Sequence, residues 1–278
     1  MSLGLKVLRF FTRRDLAILV ILAAAPVLLL AQTQVQQGIA MAPQQMRRAE
    51  PPPASATPEQ LENLADELRL EKSYTDAIDY YQAALQKSQN NAVLHNKIGI
   101  CALQLARWDQ ARKEFEKAAK LDKTYPEAFN NAGVVYYLQK KHKKAIKYYE
   151  KALALRPESA SFHSNLGSAY FSRKEYEKAN AEYLRAMEID PDVFEHRSTA
   201  GISFQSSSPE DRALYNYILA KMYARMGNAD RSLLYLRKAM EDGYTKIQSV
   251  YSDAEFAALR KDPRFSELMA ARPMSLPN

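Results

Sequence analysis

Residues 126–193 hold two consecutive copies of one 34-residue pattern, and no other feature restricts the fold of this chain as tightly. Phe129, Gly133, Tyr136, Ala145, Tyr149, Ala152 and Pro157 are followed 34 residues later by His163, Gly167, Tyr170, Ala179, Tyr183, Ala186 and Pro191. A period of this length marks one supersecondary unit that buries its apolar face only against copies of itself. The spacing predicts two amphipathic helices per block. Small residues stand where helices cross closely, aromatic rings fill the space between them, and proline ends the second helix.

Steps of 34 residues extend the pattern to 58–91, 92–125, 126–159 and 160–193, with a fifth block at 213–246 after an insertion. The eighth position holds Ala65, Gly99, Gly133, Gly167 and Ala220; the twentieth holds Ala77, Ala111, Ala145, Ala179 and Ser232. The twenty-seventh is Ala84, Ala118, Ala152, Ala186 and Ala239, and the twenty-fourth is Tyr81, Phe115, Tyr149, Tyr183 and Leu236. Average composition would put Gly or Ala at a minority of such sites, so chance does not compete. The pattern resembles the tetratricopeptide repeat (TPR). That resemblance implies an all-α solenoid of helix-turn-helix units, and implies protein binding rather than catalysis. Departures are local. The closing proline is present only at Pro157 and Pro191, and the fourth position carries Leu61, His95, Phe129, His163 and Asn216. His95 and His163 read as packing residues, because no cysteine or third histidine accompanies them as a metal set would need. Cys101, the one cysteine, reads as a buried apolar thiol.

In the family the first helix of each repeat lines a concave groove that holds peptides or partner helices. Carried over by position, the resemblance assigns to that groove Asn63, Asn96, Lys97, Asn130, Asn131 and Val134, then Tyr137, Ser164, Asn165, Ser168 and Phe171. An asparagine amide both donates and accepts, so a row of them could pair with a peptide backbone of any sequence. The family's carboxylate clamp is not expected. Glu62 and Glu127 stand where that clamp has lysine, and Asp66 stands where it has asparagine. A second candidate surface is the basic face of Lys140, Lys141, Lys143, Lys144, Lys147 and Lys151, which could dock an anionic polymer or lipid.

Outside the repeats, residues 1–31 combine a cationic start (Lys6, Arg9, Arg13, Arg14) with the uncharged run Leu16–Ala31. Sixteen residues of helix span about 24 Å, between a signal-peptide core and a membrane anchor. The expectation is an uncleaved export/anchor helix, single-pass, with the repeats on the periplasmic side of the cell membrane; a cleaved signal peptide and a soluble periplasmic or secreted product is the alternative. Thr12-Arg13-Arg14 also resembles a twin-arginine signal. The formal charge of +7 points to nucleic acid until it is located. Lys6, Arg9, Arg13 and Arg14 against Asp15 give +3, Arg47 and Arg48 against Glu50 add +1, and +3 remains for everything after residue 58. A nucleic-acid partner is therefore not expected.

Residues 32–57, rich in Gln and Pro, read as a disordered spacer. Thr57, Pro58 and Gln60 make a capping box for the first helix. The insertion 194–212 has no helical period, and Ser208-Pro209 restarts the helix; Ile202 and Phe204 could lie as a short strand, and the loop could fold over the groove. Residues 247–270 read as a terminal cap, with Ser252-Asp253-Ala254-Glu255 opening one helix and Asp262-Pro263 another, and 271–278 as a tail. The chain has no H-E-x-x-H, G-x-S-x-G, phosphate loop or Cys/His metal spacing, so neither catalysis nor a cofactor is expected.

Overall fold

The computed structural model describes residues 50–195 and 208–271. The expected anchor at 1–31, most of the spacer, residues 196–207 of the insertion (with Ile202 and Phe204) and the end of the tail lie outside them. Among the described residues the chain is helical without strands, and no helix is long and apolar enough to cross a membrane.

Helices run in pairs at the expected period. They are α1 (Pro58–Leu70) and α2 (Tyr74–Lys87), α3 (Ala92–Gln104) and α4 (Trp108–Leu121), and α5 (Pro126–Leu138) and α6 (His142–Leu155). The fourth pair is α7 (Ala160–Ser172) and α8 (Tyr176–Ile189), and the fifth is α9 (Pro209–Arg225) and α10 (Ala229–Glu241). A last helix, α11, covers Pro263–Ala271. The start of α1 follows its sequence signal: Gln60 N–H donates to Thr57 Oγ1 (3.2 Å), and Thr57 N–H donates to Gln60 Oε1 (2.9 Å). Residues of the expected spacer next to it are held in place, because Lys87 Nζ donates to Ala54 O (2.7 Å) and Ala56 O (2.5 Å).

Each of the first four repeats closes around one ring. Tyr81, Phe115, Tyr149 and Tyr183 are all fully buried. Opposite three of them stands a glycine: a Cβ on Gly99, Gly133 or Gly167 would lie 2.5–2.6 Å from a ring carbon of Phe115, Tyr149 or Tyr183. The small residue is thus fixed by the aromatic it faces.

The turn inside each repeat is equally regular. Its fifteenth residue takes a left-handed conformation: Lys72 (φ 62°), Ala106 (55°), Lys140 (59°), Lys174 (63°) and Gly227 (75°). The next amide reaches back to the carbonyl five residues earlier, as in Ser73 to Leu68 (2.8 Å) and Lys141 to Tyr136 (2.8 Å). This satisfies carbonyls that the helix end would otherwise leave open.

The cap departs from expectation. The proposed box at Ser252–Glu255 does not form. Residues Ile247–Tyr251, Ala254–Phe256 and Leu259–Lys261 are short 3-10 turns instead, and Asp253 makes no side-chain cap. Its carboxylate points across to α9, accepting from Tyr217 OH (2.9 Å) and lying 3.0 Å from Lys221 Nζ. Val250, Phe256 and Leu259 are buried by the tight turns, and Asp262-Pro263 opens α11 as expected.

Candidate functional site

The expected groove residues lie on α1, α3, α5 and α7, and most of them are closed to a ligand. Asn165 Nδ2 donates to Asn130 Oδ1 (2.9 Å), Asn130 Nδ2 to Asn131 Oδ1 (3.2 Å), and Asn131 Nδ2 to Asn96 Oδ1 (3.0 Å). Asn96 Nδ2 ends the chain of bonds on Tyr125 OH (3.0 Å). All four amides are at most 7% exposed. The row thus joins neighbouring first helices to one another rather than lying open to a peptide, and this corrects the expectation from position alone. The physical reason is that a buried amide must find partners, and these find them in one another, within a repeat and across to the repeat before.

The rest of the third and fourth repeats follows suit. Ser168 is buried, donating to Ser164 O (3.0 Å) and accepting from Tyr183 OH (3.3 Å). Val134, Tyr137 and Phe171 are buried, and Ser172 Oγ donates to Tyr137 OH (3.1 Å). Ser164 is half-buried, and Asn63 is exposed. Other first-helix side chains of the first two repeats are open. Leu70 is 75% exposed, Val93 is 43% exposed, Gln104 is exposed and Ile100 is half-buried.

Lys97 is occupied. Its ammonium donates to Glu62 Oε1 (2.6 Å) and Asp66 Oδ2 (2.5 Å), while Tyr81 OH donates to Asp66 Oδ1 (2.6 Å). Burial alone would raise the Asp66 pKa, but the bonds from Lys97 and Tyr81 outweigh it and hold the carboxyl below its usual range. The cation is spent on two carboxylates of the preceding repeat and offers nothing to a free carboxylate.

His95 Nδ1 lies 2.6 Å from Glu114 Oε2, and His163 Nδ1 lies 2.6 Å from Glu182 Oε2. The two histidines pair separately, and among the described residues no group of three ligating side chains could hold a metal. Burial pushes the Cys101 thiol up to about 12. The six lysines of the basic face are all exposed, and among the described residues none is paired with a carboxylate. Lys144 Nζ lies 5.4 Å from the centre of the Tyr136 ring, and Lys151 Nζ lies 5.6 Å from that of Tyr148.

One recurring bond escaped the sequence reading. Tyr136 OH donates to Glu116 Oε1 (2.5 Å) and Tyr170 OH to Glu150 Oε1 (3.1 Å). Each joins position eleven of one repeat to position twenty-five of the repeat before. The signal was present as a Tyr at the first place following a Glu 20 residues earlier. At the fourth-to-fifth junction the pair is Leu184 and Tyr223, and Tyr223 OH turns to Pro191 O (3.5 Å). There α8 and α9 also lack the side-by-side packing shared by α2 with α3, α4 with α5, and α6 with α7. Aromatic rings fill the seam instead. Tyr215 sits edge-on to Phe171 (5.8 Å) and Tyr183 (5.7 Å), and Phe194 sits edge-on to Tyr183 (5.4 Å). From the described start of the insertion, Glu195 Oε1 accepts from Tyr235 OH (2.9 Å).

Comparison with known proteins agrees with this geometry. Residues 89–158 and residues 136–198 each match a family model described as tetratricopeptide repeat. Over 81 residues the chain is 38% identical to TPR repeat-containing protein MJ0798 of Methanocaldococcus jannaschii, covering 29% of this chain and 24% of that protein. Over 79 residues it is 25% identical to the Hsp70-Hsp90 organizing protein of Triticum aestivum, covering 28% of this chain and 14% of that one. The chain thus spans about a quarter or less of either relative's length. Among solved structures, MamA from Desulfovibrio magneticus RS-1 (residues 41 to end) shares the fold, with 19% identity and a TM-score of 0.50 over 72% of this chain and 100% of that one.

Proposed function

We propose that this chain, whose helical pairs are tetratricopeptide repeats, is a non-catalytic scaffold that binds a partner protein at the cell envelope. The N-terminal apolar segment tethers it in the membrane, with the repeats on the periplasmic side. Its partner is held along the first helices of the first two repeats. The observation that carries this reading is the exposure of Asn63, Leu70, Val93 and Gln104 on the first helices of these two repeats, where the asparagine amides of the third and fourth are closed. Apolar side chains left in water beside polar ones suit a peptide or helix that covers them.

The test is site-specific photo-crosslinking in intact membranes, with the probe at residue 63, 70 or 93 and, as a control, at the outward-facing Lys113. A protein adduct from the three groove positions and none from Lys113 supports the reading. Equal adducts from all four sites, or adducts from Lys113 alone, refute it.

A second reading rests on the unpaired lysines, which would dock an anionic polymer or lipid. It requires a salt-sensitive interaction that Lys147→Glu with Lys151→Glu abolishes. Binding that ignores both salt and charge reversal excludes it.

A further inference from the structure

The second helices α4 and α6 share a triplet that the other second helices lack. Position twenty-two is Lys113 and Lys147, position twenty-six is Lys117 and Lys151, and position thirty is Leu121 and Leu155. At these places the first repeat has Asp79, Ala83 and Lys87, the fourth Ala181, Arg185 and Ile189, and the fifth Leu234, Lys238 and Asp242. Residues four apart on a helix are neighbours, so each triplet makes one slanted stripe of two cations ending in a leucine. All six side chains are exposed, the leucines at 37% and 41%. The two helices are joined directly, since Tyr148 OH on α6 donates to Glu116 Oε1 on α4 (3.3 Å).

The carboxylates of α4 and α6 are engaged elsewhere. Asp109 lies 3.8 Å from Arg112, Glu114 meets His95 (2.6 Å), and Glu116 and Glu150 accept from Tyr136 and Tyr170. Among the described residues none of the four lysines pairs with a carboxylate. The stripes therefore present cations without a counter-charge and leucines in water. A soluble polyanion meets the first need and leaves the leucines wet. An anionic bilayer surface meets both, because ammonium groups stay among the head-group phosphates while apolar tips enter below them.

We infer that the paired stripes dock α4 and α6 against the surface of an anionic phospholipid bilayer. Lys113, Lys117, Lys147 and Lys151 meet the phosphates, and Leu121 and Leu155 enter the head-group boundary. The inference rests on the second reading above and deepens it: the leucines select lipid over polymer, and the face extends from α6 to α4. A chain tethered in the same membrane meets this surface as an intramolecular partner, so individually weak contacts suffice. The contact uses second helices and leaves the first helices to a partner protein.

The test uses the full-length chain reconstituted into vesicles of phosphatidylcholine, alone or mixed with phosphatidylglycerol, all containing a doxyl-lipid quencher. A dye is attached through Ala154→Cys, one turn beyond Lys151, or through Gln104→Cys on a first helix; both sites are exposed, whereas Cys101 is buried. Quenching should occur at 154 and not at 104, only with phosphatidylglycerol, and should be lost in high salt. Lys147→Glu with Lys151→Glu, and separately Leu121→Ser with Leu155→Ser, should each remove it without changing the melting temperature, because all four side chains are exposed. Equal quenching at 154 and 104, quenching on phosphatidylcholine alone, or quenching that survives the leucine replacements would each overturn the inference. Polyphosphate added to the neutral vesicles separates this inference from the reading beneath it. If polyphosphate binds the wild type and not the lysine reversal, while residue 154 stays unquenched on phosphatidylglycerol, the basic face stands and the bilayer contact falls. If neither is seen, both fall.

Discussion

The junctions at α4/α5 and α6/α7 are built alike, and the one at α8/α9 is built differently. In the regular pair, a second helix lies alongside the next first helix, and a tyrosine hydroxyl meets a glutamate across the boundary. At the seam that packing is lost, the glutamate is Leu184, and Tyr215 and Phe194 close the gap by ring contacts. Stacking repeats need continuity of apolar burial more than any one bond. Once rings supply that continuity, the boundary is free to differ, and here it opens into a cleft lined by both apolar and charged side chains.

The largest effect that would break this contrast is expected from Tyr183→Ala. Its ring is fully buried and bridges to Phe194 and Tyr215, so the loss should be about 3–5 kcal/mol. Differential scanning calorimetry should then resolve two transitions in place of one, the fifth repeat melting apart from the first four.

Next in size is Asn131→Ala. It leaves Asn96 Oδ1 without its donor and Asn130 Nδ2 without its acceptor, at a cost of about 1–3 kcal/mol in urea unfolding. The effect should fall on stability and not on affinity for a groove-bound peptide. Affinity lost at unchanged stability would restore the ligand-contact role.

A smaller and more direct comparison sets Tyr170→Phe against Tyr223→Phe. The first removes a 3.1 Å bond to a carboxylate and should cost about 0.5–1.5 kcal/mol, at the low end because the pair is exposed. The second removes a 3.5 Å contact to a carbonyl and should cost less than that. Equal losses would show that the seam is held as the other junctions are.

The smallest effect concerns the turns. Ala106→Gly should stabilise by about 0.5–1 kcal/mol, since alanine is strained at φ 55°, while Gly227→Ala should destabilise by a similar amount. Melting temperatures of the two variants should move in opposite directions.

The repeat frame was legible because Gly133 facing Tyr149, and its equivalents, leave the sequence few choices. Thr57 and Gln60 were legible for a similar reason: a cap acts within three residues. The asparagine row was not. Position in a repeat gives the helix that a residue sits on, but whether Asn130 and Asn165 face a ligand or each other depends on how closely α5 and α7 approach. The Ser252–Glu255 box failed because Tyr217 and Lys221 of α9 engage the Asp253 carboxylate that would have capped a helix. Leu184 was visible as a residue but not as a departure, because the bond it replaces is seen only in three dimensions.

The Tyr–Glu boundary bond has a bearing on how such a chain can grow. Residues 126–159 carry both halves of the joint: Tyr136 to donate to the repeat before, and Glu150 to accept from the repeat after. A tandem duplication of that block would meet a matching edge on each side, and its asparagines would find the same neighbours one step along. Duplicating 160–193 would set Leu184 against a new Tyr170 with nothing to accept its hydroxyl. The solenoid can be lengthened in its middle like a row of interlocking bricks, whereas its fourth unit is shaped as a corner piece.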